Sequence, residues 1–281
     1  WRIITCSRDD VPDACQYDPN WAHHIPADLS DSADLDAFVA KANELLGKDG
    51  LSALVNNAAV SPKTSYKERL GALNGDQEAW HEVFNLNLFA PLALCRGFAT
   101  ALHRGKGSVV NITSIAGHSI HPFAGSAYSV SKAALSALTK ELAVEFAELN
   151  VRVNAVAPGE IETEMVGPEY EALIPRIPLN RMGSAAEVAG VVYQLCAEDF
   201  GYVTGTELFV TGGQHLLWSW LQLSYRTRAA RRPTTGVPTL WRRLGDRVCN
   251  FHDHPAPLGH RLYRTPETSS RPRSVRSTIL C

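Results

Sequence analysis

Tyr128 and Lys132 stand four residues apart at the head of a long amphipathic stretch, residues 127–149, and Ser114 ends an apolar run fourteen residues before Tyr128. A helix puts positions i and i+4 on one face, so a phenol and an ammonium at this spacing can share one small site. That pairing suits acid–base chemistry at a carbonyl. A free tyrosine titrates near ~10, and lowering it by about three units requires ~4 kcal/mol of differential stabilisation, which a fixed cation favours. On this reading Tyr128 gives or takes a proton at neutral pH, while Ser114 orients the reacting oxygen by a hydrogen bond. The plain alternative is a surface tyrosine beside a solvated lysine.

The surrounding motifs favour the chemical reading. Asn56-Asn57-Ala58-Ala59 follows the apolar run 51–55, Asn87 lies inside an apolar helical segment, and Pro158-Gly159-Glu160-Ile161-Glu162-Thr163 follows the run 151–157. Several loops thus terminate strand-like runs, and in an open parallel sheet ligands bind where such loops converge. With these motifs in this order, residues 2–213 resemble the short-chain dehydrogenase/reductase family.

The resemblance implies roles residue by residue. Tyr128 is the expected general acid/base, Lys132 the residue that lowers its pKa and bonds the nicotinamide ribose, and Ser114 the residue that polarises the substrate oxygen. Asn87 is similar to the asparagine that holds a water in the proton relay to Lys132; otherwise it is a mid-helix asparagine bonding a neighbouring carbonyl. Asn56 and Ala58 are expected beside the adenine ribose, Asp28 and Leu29 beside the adenine, and Pro158, Gly159, Ile161 and Thr163 against the nicotinamide. Asp28 alternatively caps the following helix. Arg8, after the first strand, can pair with the extra phosphate of NADP, where an acid would bond the ribose of NAD, so NADP is the expected cofactor and NAD the second choice.

The elements that position these residues read as alternating strands and helices. Strands are expected at 2–6, 51–55, 108–112, 151–156 and 207–210, and helices at 34–46, 77–103, 127–149 and 185–197, the first capped by Ser30, Asp31 or Ser32. This predicts an α/β fold, a Rossmann-like doubly wound parallel sheet in a single domain. The chain opens at Trp1 in what reads as the family's second strand, so the first strand, glycine-rich turn and first helix are expected upstream in a longer reading frame. Without them, ladder groups on both neighbouring strands are expected to lack partners.

Residues 1–215 form the expected domain. Residues 216–281 hold 12 arginines, no lysine and three acids, formally +9, which leaves −11 for the rest. Trp218, Trp220 and Trp241 fall here too, yet no nucleic-acid-binding pattern appears, and the segment is read as a disordered or non-native tail. Six scattered cysteines without a Cys-x-x-Cys pair suggest reduced thiols, and no apolar run of membrane-spanning length occurs, so a cytoplasmic protein without membrane association is expected. His118 and His121 are candidate pocket residues, not expected to hold a metal. The loop 61–76 and the segment 165–182 are candidate borders of the substrate pocket. The expected function is hydride transfer between NADP or NAD and a small-molecule carbonyl or secondary alcohol, by a homodimer or homotetramer built on the helices at 77–103 and 127–149. The alternatives are a noncatalytic nucleotide sensor of the same fold, and an anion or nucleic-acid binder acting through the basic tail.

Overall fold

Short runs rich in valine, isoleucine and alanine, separated by turn residues and longer amphipathic stretches, specify buried parallel strands joined by helices. The computed structural model describes residues 1–9, 22–63, 69–163, 167–217 and 277–281, all within one compact unit. Along the chain come β1 (Arg2–Ser7), β2 (Ala22–Pro26), α1 (Ser32–Leu46), β3 (Ala53–Asn56), α2 (Gln77–Phe84), α3 (Ala90–Gly105) and β4 (Ser108–Ile112). They are followed by α4 (Ser126–Ala147), β5 (Arg152–Pro158), β6 (Ile161–Glu162), β7 (Gly183–Ser184), α5 (Ala185–Cys196), β8 (Glu207–Val210) and β9 (Ser277–Leu280).

Seven strands form one parallel sheet in the order β2-β1-β9-β3-β4-β5-β8, and β6 and β7 form a separate parallel pair. Strand progression reverses about β9, the topological switch point at which an open sheet forms its ligand crevice. On one face α1, α3 and α4 bury Phe38, Leu46, Phe98, Leu102 and Phe146, with Phe38 and Phe98 edge to face at 6.1 Å. On the other, α5 sets Leu195 against Val110 and Val156.

β9 corrects two expectations. The ladder groups of β1 and β3 have a partner: β9 pairs Ile4 with Ile279 on one side and Leu54 with Ile279 on the other. Ser52 N donates to Ser277 O at 2.8 Å and Cys281 N to Val55 O at 3.0 Å, which bonds the β3 edge of the slot at both ends, while the β1 edge is closed by the ladder from Arg2 to Thr5. Residues 277–281 therefore belong to the sheet, although the sequence placed them in a tail beyond the domain. Their Ser-Thr-Ile-Leu run has ordinary strand character, and the slot between two buried parallel strands supplies what a strand of four residues cannot obtain alone. Residues 218–276, with the three tryptophans, lie outside the described residues.

The expected helix at 77–103 is interrupted. Asn85–Phe89 widens into one π-helical turn between α2 and α3, closed by Ala90 N on Asn85 O. Pro91 has no N–H to give the Asn87 carbonyl four residues before it, which opens the ladder at this turn. The cap of α1 is Asp31, whose Oδ1 accepts from Ala33 N and Asp34 N at 2.9 and 3.0 Å. Asp28 is not that cap: its Oδ1 instead accepts from Ser30 N and Ser30 Oγ.

Candidate active site

Tyr128 and Lys132 are brought to the sheet by the buried stripe of α4, which recurs at Ala127, Ser131, Leu135, Thr139, Leu142 and Phe146. Ser114 is brought to the helix by the loop after β4. Its Oγ accepts from Ala116 N at 3.1 Å and caps a short 3₁₀ turn, Ile115–Gly117. Gly117 lets that turn settle on α4: a Cβ there would lie 2.8 Å from Ala133 N and 2.9 Å from Lys132 C. Any larger residue would lift Ser114 away from Tyr128.

In the assembled site the Ser114 and Tyr128 hydroxyls are hydrogen-bonded to each other, Lys132 Nζ donates to Ile112 O at 2.7 Å, and Lys132 Nζ lies 5.7 Å from the Tyr128 ring centroid. The π turn carries Asn87, which is fully buried and bonded to Ser131, the residue before Lys132. Its Oδ1 accepts from Val60 N at 2.9 Å, and its Nδ2 donates to Val60 O at 3.0 Å and to Ser131 Oγ at 3.1 Å. Asn87 thus ties the Val60 loop to α4, a tertiary role that differs from bonding a carbonyl of its own helix.

The electrostatics differ from the sequence reading. Burial pushes the Tyr128 phenol above its ordinary range, the Ser114 hydrogen bond draws it down, and the Glu160 carboxylate pushes it up again. Burial lowers Lys132 to about 8. The apolar surroundings penalise phenolate and ammonium alike. Tyr128 is therefore held as a neutral phenol.

A cavity of about 800 Å³ opens along the carboxyl ends of the strands. Ser114, Tyr128, Lys132, Pro158, Gly159, Ile161 and Thr163 all line it. Gly159 is required by close approach, since a Cβ there would meet Gln214 Oε1 at 2.8 Å and Thr211 Cα at 3.0 Å. Asn57 and Ala59 line the cavity in place of Asn56 and Ala58, because alternate residues leaving a strand face opposite ways. Asn56 turns into the core, where its Nδ2 donates to Asn111 Oδ1 at 2.8 Å, and Asn111 Nδ2 donates to Thr139 Oγ1 at 2.9 Å. Ala58, Leu29 and Asn56 border a separate small void beside Cys281. Arg8 is exposed just beyond β1, where its charge helps hold the Asp28 carboxyl low after the larger effect of the Ser30 hydrogen bonds.

The two histidines part company. His121 lines the cavity and donates from Nε2 to Glu160 Oε1 at 2.8 Å, whereas His118 pairs with Glu207 at 3.0 Å, alongside Thr113 and Ser136. Tyr170 and Gln214 are site residues that sequence reasoning left without a role, whereas for Glu160 it left open the attraction of a cationic group or a place facing water. Glu160 and Tyr170 line the cavity, and Gln214 Nε2 donates to Glu160 Oε1 at 3.0 Å. The carboxylate that directly follows the Pro158-Gly159 turn was the available signal. Of the candidate pocket borders, Lys63 pairs with Glu169 at 3.0 Å and Pro168–Arg176 forms a 3₁₀ segment, while residues 64–68 and 164–166 lie outside the described residues. No cluster of three or more metal-ligating side chains, and no helix long and apolar enough to cross a membrane, occurs among the described residues.

Known proteins resemble this chain in sequence and fold. Residues 9–215 match the family model described as enoyl-(acyl carrier protein) reductase. The chain is 46% identical over 218 residues to Protein FixR of Bradyrhizobium diazoefficiens, covering 77% of this chain and 78% of that one. It is 38% identical to dehydrogenase/reductase SDR family member 4 of Bos taurus, over 64% of each chain, so it spans just under two thirds of that relative's length. A crystal structure of a short-chain dehydrogenase/reductase family oxidoreductase from Brucella ovis, in complex with a partially ordered NAD, superposes with a TM-score of 0.64 at 42% identity, covering 75% of this chain and 88% of that one. A parallel sheet reversing at its centre, a serine, tyrosine and lysine on one cavity wall, and these likenesses over most of its length show that the chain belongs to the short-chain dehydrogenase/reductase family.

Proposed function

We propose that the chain moves a hydride between a nicotinamide dinucleotide and a carbonyl or secondary alcohol carbon, with Tyr128 as general acid/base. The observation that carries this reading is the meeting of Ser114, Tyr128 and Lys132 with Pro158, Gly159, Ile161 and Thr163 around one cavity. The residues fit such a cofactor at its two ends. Lys132 and the segment from Pro158 to Thr163 would hold the nicotinamide riboside, with Gly159 leaving backbone, not side chain, at the wall. Arg8 and Asp28, just past the carboxyl ends of β1 and β2, are the residues assigned to the adenosine, and Arg8 supports NADP over NAD by the pairing of guanidinium with phosphate. Between them, the described residues at the strand ends are Cys6, Asn57 and Cys281, with no glycine-rich turn among them.

When bound, the nicotinamide supplies or takes up the hydride. The chain handles the proton. Burial keeps the Tyr128 hydroxyl protonated, so it is poised to donate to a carbonyl oxygen as negative charge develops there. Ser114, already bonded to the Tyr128 oxygen, would hold the same substrate oxygen and then share the charge left on the phenolate. Lys132, whose Nζ is fixed on Ile112 O, would provide the countercharge, and Asn87 would fix the π turn and Ser131 beside it. Val130 and Val144 on α4 and Phe89 before α3 are exposed, which supports assembly into a homodimer or homotetramer through these helices.

Steady-state rates with NADPH and NADH on a panel of ketones and secondary alcohols test this. Tyr128→Phe is expected to lower kcat/KM roughly 10²–10⁴-fold, the contribution of a positioned proton donor. Turnover within a factor of a few of wild type would overturn the assignment. Loss of turnover in both, with the dinucleotide still bound, would favour the noncatalytic nucleotide-sensing reading.

A further inference from the structure

We propose that Glu160 makes this cavity select carbonyl or alcohol substrates that carry a protonated amine and disfavour those that carry a carboxylate. The inference rests on the proposed role of Tyr128, because both groups face the same space. Glu160 lies in the turn between β5 and β6 and is buried at the cavity wall, 5% exposed. Its Oε1 accepts from His121 Nε2 at 2.8 Å and from Gln214 Nε2 at 3.0 Å.

Neither partner is a lysine or an arginine. His121 Nδ1 accepts from Phe123 N at 3.2 Å and Ala124 N at 3.1 Å, which turns Nε2 toward Glu160. Gln214 is an amide. Among the described residues no lysine or arginine pairs with Glu160: Lys63 is on Glu169, Arg181 on Glu187, Arg2 on Asp49, and Lys132 on a carbonyl. Glu160 Oε2 takes no hydrogen bond among the described residues. A carboxylate withdrawn from water is costly unless paired, and here two side-chain donors hold it in place with no lysine or arginine against it among the described residues.

A second feature points the same way. Tyr170, from the 3₁₀ segment over the cavity, sets its ring 5.9 Å from His121 and 4.8 Å from Phe123. Its face already takes one cation, since Lys63 Nζ sits 5.6 Å from the ring centroid. A fixed carboxylate beside an aromatic face that accepts ammonium is the chemistry of amine recognition. An anionic substituent against Glu160 would be repelled, and Lys63, on the same wall, is already paired with Glu169.

Four ring ketones of similar size separate the possibilities: N-methyl-4-piperidone, 4-hydroxycyclohexanone, cyclohexanone and 4-oxocyclohexanecarboxylate, reduced at pH 7 by the full chain. The expected kcat/KM for the piperidone exceeds that for cyclohexanone by about 10–100-fold, the value of a hydrogen bond to a charged group, and the carboxylate ranks last. In Glu160→Gln, which keeps an acceptor for His121 and Gln214, the piperidone preference should shrink to a few-fold and the carboxylate should improve. Equal preference for the hydroxyl and amine compounds would replace the cation with a neutral donor and overturn the proposal, as would equal rates on all four. Binding of N-methylpiperidine, followed by calorimetry, is independent of turnover. Binding to wild type and not to Glu160→Gln would sustain the inference even if no ketone were reduced. Absence of binding together with flat rates would end it while leaving the hydride-transfer reading intact.

Discussion

Replacing Ile279 by alanine probes how much the sheet depends on β9. Ile279 is fully buried, and its register partners Ile4 and Leu54 are almost equally so. The substitution removes three carbons, or about 2.4 kcal/mol of transfer free energy, and leaves a cavity between two strands that cannot collapse, so the expected loss is roughly 3–4 kcal/mol. That is a large part of the ~5–15 kcal/mol that stabilises an ordinary domain. Urea unfolding followed by tryptophan fluorescence would read it as a lower midpoint with an unchanged slope. Leu73→Ala, at a fully exposed side chain, serves as the control and should change stability by no more than about 0.5 kcal/mol. If Ile279→Ala matched that control, β9 would not be a working member of the sheet, and the pairing of the β1 and β3 ladders would have to come from elsewhere.

Two further outcomes follow from the described geometry. Lys132 gives up its proton at about 8 in the folded chain against an ordinary 10.5, so between those values the unfolded chain binds more protons and stability rises with pH. The rise amounts to roughly 3 kcal/mol; the wild-type minus Lys132→Met difference, measured by urea unfolding from pH 7.5 to 10, should show it, and parallel profiles would contradict a buried, charge-penalised lysine. Ser184→Ala removes the capping box in which Ser184 Oγ accepts from Glu187 N and Ser184 N donates to Glu187 Oε2, and should cost about 1 kcal/mol; an unchanged midpoint would show that α5 does not depend on its cap.

Much of the scaffold was legible because its signals are local. The strands at Ser108–Ile112 and Glu207–Val210 match the expected runs, and α4 and α5 differ from expectation only at their ends, since continuous apolar runs and 3.6-residue stripes are written within each segment. β2 was harder to see. Its Ala-His-His-Ile-Pro run carries two histidines, and its place is set by pairing with β1 along Ile3 to Ser7. The π turn at Asn85–Phe89 was hidden in the same way, as an apolar helical stretch does not show where its ladder opens.

Residue types and their order in the chain determined the family, the alternation of strands and helices, and the grouping of Ser114, Tyr128 and Lys132, because spacing along a helix or at the end of a strand is a local property. Three things were decided only by the tertiary structure. Residues 277–281 pair between β1 and β3, partners more than two hundred positions away in sequence, because two open ladders bind whatever strand reaches them. The Tyr128 phenol is driven up and not down, because desolvation sums over everything packed around it while the lysine beside it is desolvated too. Asn56 faces the core and Glu160 faces the cavity, because the direction of a side chain leaving a strand follows from the pleat and from what the neighbouring helices leave open.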